Sequence, residues 1–115
     1  MNEPGKVSPR EARKKVFAGL AHLVCAYDEH EKFLEMRLEG AVSLQEYASY
    51  LTFISKRQEV IFYCDSPDGA KAADRARQLQ ADGYKNAKVL DGGVEGWKAA
   101  GLAFAKNVAE ETEGE

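Results

Sequence analysis

The sequence predicts an α/β domain, a small parallel sheet of four to five strands with helices on both faces. Three observations predict it. Short apolar runs alternate with amphipathic stretches long enough to serve as crossovers, which parallel strands require. Val60-Ile61-Phe62-Tyr63 is an unbroken β-branched and aromatic run, as expected of a strand covered on both faces. With 115 residues, 44% of them hydrophobic and 30% charged, the chain has apolar material for one core and not for two.

Residues 1–7 are polar, with one proline and one glycine, and read as a flexible N-terminus. Ser8-Pro9-Arg10-Glu11 combines an N-cap, a first-turn proline and a capping-box glutamate, so a helix starts there and runs to about Ala18. Gly19 ends it, and His22 to Ala26 is short and mostly apolar, which predicts a buried strand. Asp28 to Leu34 follows as a short polar helix. Gly40 to Ser43 predicts another strand, with Ser43 capping a helix whose Leu44, Tyr47, Leu51 and Ile54 repeat at three to four residues.

Glu59 to Cys64 is the central strand, and Gly69 to Ala81 a helix closed by Asp82-Gly83. Ala87 to Leu90 is the last strand, and Val94 to Ala100 a short helix ended by Gly101. The folded unit thus spans residues 8–104. Residues 105–115 form an acidic tail with little to bury, expected to be disordered.

Charge narrows the functional classes. Nineteen acidic and 16 basic residues give a net charge of −3 with no basic field, which argues against nucleic-acid binding. No run approaches the roughly 20 apolar residues of a membrane span, and Met1-Asn2-Glu3-Pro4 lacks a signal-peptide pattern, so a cytoplasmic protein with free thiols at Cys25 and Cys64 is expected. His22 and His30 have no metal-ligand spacing to either cysteine, and neither a metal nor another cofactor is expected.

In a parallel sheet ligands sit at the carboxyl ends of strands, which points at Cys25 to Asp28, Cys64 to Gly69 and Leu90 to Gly93. Cys64 ends the central strand a few residues before a helix N-terminus. A loop curling between the two can aim the amides of Asp65, Ser66, Asp68, Gly69 and Ala70 at one point, where with the helix dipole they favour an anion. A thiolate held there is a nucleophile toward sulfane sulfur.

Cys64 with its short loop, the Ala-rich helix after it, and the segment from Val89 through Asp91-Gly92-Gly93-Val94-Glu95-Gly96-Trp97 to Gly101 together resemble a rhodanese-like domain. The Ser8-Pro9 helix start and Leu38-Glu39-Gly40-Ala41 resemble its pattern too. The resemblance implies a sulfurtransferase in which a Cys64 persulfide passes sulfur from a small sulfane donor, such as thiosulfate, to a thiol, a cyanide-like acceptor or a protein. The alternative is a non-catalytic rhodanese-like module that binds a protein or regulates. Gly92-Gly93 and Trp97 read first as a tight turn and a core anchor.

The chain departs from that pattern. Its loop carries Asp65 and Asp68 and no cation before Lys71, which opposes thiolate formation and an incoming dianion. Pro67 removes an amide and stiffens the turn. Cys25-Ala26-Tyr27 stands where the family has Asp-x-Arg, and Met36-Arg37 where it has Gly-His. Related phosphatase loops end in an arginine where this chain has Ala70, which sets oxyanion chemistry aside, and leaves Arg75 and Arg77 as solvated helix charges. Cys25, on a neighbouring strand end, is a candidate resolving thiol only if its Cα lies within roughly 7 Å of that of Cys64.

Overall fold

A computed structural model describes residues 4–66 and 68–105. Along the chain run β1 (Lys6–Val7), α1 (Pro9–Phe17), β2 (Ala21–Cys25), α2 (His30–Glu35), β3 (Ala41–Val42), α3 (Leu44–Tyr50), β4 (Glu59–Tyr63), α4 (Ala70–Ala81), β5 (Ala87–Leu90) and α5 (Gly93–Ala99). A 3-10 turn at Leu51–Phe53 extends α3. The strands form one parallel sheet in the order β1-β5-β4-β2-β3, with β4 at the centre.

The helix starts follow from capping. Ser8 Oγ accepts from the Glu11 amide at 3.2 Å and Ser43 Oγ from the Glu46 amide at 3.0 Å, each satisfying a donor that the first turn leaves open. The Leu44, Tyr47, Leu51 and Ile54 stripe packs against the sheet as its spacing predicts.

Alternation along the strands divides the core into two layers. Leu23, Cys25, Ile61, Tyr63 and Leu90 face α1, α2 and α5, and there they meet Ala12, Phe33 and Trp97. Val24, Phe62, Cys64 and Val89 face α3 and α4, against Tyr47, Ala72, Ala76 and Leu79. Trp97 is fully buried, and its indole N–H donates to Ala103 O at 2.8 Å, so the largest anchor in the core leaves no polar group unpaired.

The N-terminus corrects the sequence expectation. Lys6 and Val7, read as part of a flexible leader, form the edge strand β1 in register with Val89 and Leu90, and Val7 is buried. The amides of Val89 and Asp91 donate to Gly5 O and Val7 O at 2.9 and 2.8 Å. Two residues are too few to display a period of two, so only the neighbouring strand reveals the pairing.

At the other end Phe104 bridges Leu38 antiparallel, and the Ala105 amide donates to Arg37 O at 2.9 Å. The expected tail beyond Ala105, the first residues of the leader and the effects ascribed to Pro67 lie outside the described residues. Among the described residues no helix is long and apolar enough to cross a membrane.

Candidate functional site

The loops after β2, β4 and β5 meet at the carboxyl edge of the sheet. The Ala26 amide donates to Tyr63 O at 2.9 Å, and the Val94 amide to Cys64 O at 3.1 Å, so all three crossovers are tied together one residue from Cys64. Gly93 has φ +57° and lies so close that a Cβ there would stand 2.4 Å from Cys64 O and 3.1 Å from Ser66 O. That approach admits only glycine, which is the physical content of the Gly92-Gly93 signature.

Cys64 is fully buried, and its thiol donates to Ser66 O at 3.7 Å. The predicted convergence of loop amides on its sulfur needs correction at two positions. The Gly69 amide donates to Ser66 O and the Ala70 amide to Asp68 Oδ1, both at 3.0 Å. Asp68 also accepts from the Ser66 hydroxyl. These bonds to the Ser66 hydroxyl and then to the Ala70 amide hold the Asp68 carboxyl below its ordinary range. A carboxylate two residues before a helix start is a stronger acceptor than a thiol, and it takes the amide that sequence reasoning assigned to sulfur.

Asp65 is engaged from outside the loop. The Tyr27 hydroxyl donates to Asp65 Oδ1, and Lys32 Nζ lies 3.6 Å from Asp65 Oδ2. The tyrosine bond, followed by the lysine charge, lowers the Asp65 pKa, while desolvation and then the Asp65 bond push the Tyr27 hydroxyl up. Lys32 Nζ also sits 4.0 Å above the Tyr27 ring. Tyr27 and Lys32, with Lys71 and three glutamates, line a cleft of about 650 Å³.

Arg75 is likewise placed by the fold. Its Nε donates to Ala26 O at 2.9 Å and its other arm pairs with Asp28 at 3.0 Å, so it clamps the end of β2 and is not the solvated helix charge its position suggests. Arg77 pairs with Asp74 on its own helix. Cys25 is in register with Tyr63 and so points to the face opposite Cys64. Both thiols are free, burial pushes that of Cys25 up, and the opposite facing of the two side chains counts against Cys25 as a resolving partner. His22 packs near the Tyr47 ring and His30 near Phe33.

Sequence reasoning marked the segment Cys25 to Asp28 but missed Tyr27, Lys32 and Arg75 individually. The rule about strand ends locates Tyr27. Nothing in the sequence separates Lys32 or Arg75 from the other helix charges, because their partners are tertiary.

A sequence profile described as the rhodanese-like domain matches residues 8–100, and the chain belongs to that family. Solved structures with the same fold include the rhodanese-like domain of an Anabaena protein, at TM-score 0.70 and 14% identity over 95% of this chain and 83% of that one. The thiosulfate sulfurtransferase from Pseudomonas aeruginosa matches at TM-score 0.71 and 18% identity, over 90% of this chain and 20% of that one. The 3-mercaptopyruvate sulfotransferase SseA from Escherichia coli matches at TM-score 0.70 and 13% identity, over 90% and 51%. No curated protein matches the chain by sequence.

Proposed function

We propose that this rhodanese-like domain is a sulfurtransferase that carries sulfur on Cys64. The observation that carries the reading is the position of Cys64 at the carboxyl end of the central strand, where the loops after β2, β4 and β5 are bonded together. In the proposed reaction the Cys64 thiolate attacks the outer sulfur of a sulfane donor. With thiosulfate a new S–S bond forms, the donor S–S bond breaks, and sulfite departs with the electron pair. A nucleophilic acceptor, a thiolate or cyanide, or a protein thiol, then attacks the outer sulfur, and the Cys64 thiolate is the leaving group. Asp65, Ser66, Asp68, Gly69 and Ala70 border the sulfur in this scheme, and the step needs neither metal nor organic cofactor.

Because Cys64 is fully buried, the loop has to shift before a second sulfur fits beside it. That same burial, with the thiol satisfied by Ser66 O, favours a second reading, a non-catalytic module that binds a protein partner through the family fold. Intact-mass measurement after incubation with thiosulfate and with a thiol persulfide separates the two. A gain of one sulfur atom, lost in Cys64→Ser, supports the transferase. No gain with any donor supports the module.

A further inference from the structure

Family-type chemistry at Cys64 brings an anion to a loop whose own charged residues are Asp65 and Asp68. The structure shows how each is compensated. Asp68 is turned into the loop, on the Ser66 hydroxyl and the Ala70 amide. Each oxygen of Asp65 has a partner from the segment after β2, Oδ1 the Tyr27 hydroxyl and Oδ2 the Lys32 ammonium. The other cations nearby have other neighbours: Arg75 holds Asp28 and Ala26 O, Lys71 lines the cleft beside Glu29, Glu31 and Glu35, and the charge of Lys6 acts on Asp68. Among the described residues, Lys32 is thus the cation in contact with the carboxylate that follows the cysteine.

We propose that Lys32 and Tyr27 are positioning residues that hold Asp65, the residue after Cys64, compensated, so that an anionic sulfur donor meets a loop whose carboxylate charge is offset from α2 and its entry. The inference rests on Cys64 as the reactive group. Tyr27 contributes by aim: its hydroxyl fixes one carboxylate oxygen, and its ring seats the lysine 4.0 Å away, so the ammonium stays on the other oxygen without a rigid side chain of its own. Remove the lysine and the carboxylate of the residue after Cys64 keeps only the neutral Tyr27 hydroxyl, so its uncompensated charge repels an approaching dianion.

Alkylation of Cys64 by iodoacetate, an anion, and iodoacetamide, its neutral counterpart, reads this charge without any sulfur transfer. The ratio of the two rates at the Cys64 peptide cancels changes in access. Lys32→Gln is expected to lower the iodoacetate-to-iodoacetamide ratio about fivefold at low salt. Lys32→Arg should keep the ratio, and Asp65→Asn should raise it. The double variant Lys32→Gln with Asp65→Asn should return to within about twofold of the parent, because both charges are gone. A ratio unchanged in Lys32→Gln overturns the inference, as does an equal slowing or quickening of both reagents, which would make Lys32 a prop of the loop alone. A ratio that responds as stated, in a protein that takes up no sulfur, supports this role for Lys32 while removing the transferase reading. Failure of both reagents to reach Cys64 in the folded protein overturns both.

Discussion

Gly93 rests on the carbonyl of Cys64, leaving no space for a Cβ between two crossovers of the sheet. Gly101 has a similar left-handed φ of +76° but no atom within 4 Å of a built Cβ. The pair separates backbone strain from collision. Gly101→Ala should cost about 1 kcal/mol, and Gly93→Ala about 2–4 kcal/mol, because a clash against fixed backbone adds to the strain. Urea unfolding of the two variants checks the difference.

Cys25 and Cys64 lie on opposite faces of the sheet, so they should behave as unrelated thiols. Cys25→Ala is expected to cost about 1–2 kcal/mol from the lost buried sulfur while leaving the sulfur gain at Cys64, measured by intact mass, unchanged. Mild thiol oxidation should give no intramolecular bridge. A bridge found by peptide mapping would contradict the alternation.

Arg75 and Arg77 are two residues apart on α4 but do different things. Arg75→Met should destabilise by about 1–2 kcal/mol, since it frees the Ala26 carbonyl and Asp28 from a partly buried clamp. Arg77→Met, which removes a surface pair with Asp74, should stay within about 0.5 kcal/mol. Thermal unfolding of both variants under one buffer tests the contrast.

His22 gives a pH dependence of defined sign. Desolvation on β2 lowers its pKa below the ordinary 6.5, so the unfolded chain binds the proton more readily than the folded one. Its contribution is fully present above 6.5 and is lost as the pH falls from there toward the lowered folded value. In that window His22→Gln should flatten the decline in stability, as followed by urea midpoints at a series of pH values.

Much of the fold is legible because its signals are local. The unbroken run Val60 to Tyr63 announces a strand covered on both sides, and Ser8 and Ser43 announce helix starts that the structure places one residue later. The edge strand at Lys6–Val7 is illegible, since its only signature is the partner Val89–Leu90 more than 80 residues away. The site divides along the same line. Cys64 at a strand end can be read from pattern, and so can the glycine turn facing it. The Tyr27, Asp65 and Lys32 contacts cannot, because they depend on how α2 comes to lie beside the loop. At Gly69 and Ala70 the amides go elsewhere for a different reason: Asp68 is visible in the sequence, but its competition for the Ala70 amide reads there only as unfavourable charge.

All five strands run the same way, so the molecule has two unlike rims. One gathers Tyr27, Cys64 and Gly93. The other is built from the turns around Leu20, Lys56 to Gln58 and Gly83 to Asn86, stitched by Gln58 to Leu20 O and by Asn86 to Arg57 O. That lower rim is where a fluorophore, an affinity handle or a surface tether can be attached with the loop over Cys64 left facing solution, an orientation that immobilisation through Lys32 or Lys71 would spoil.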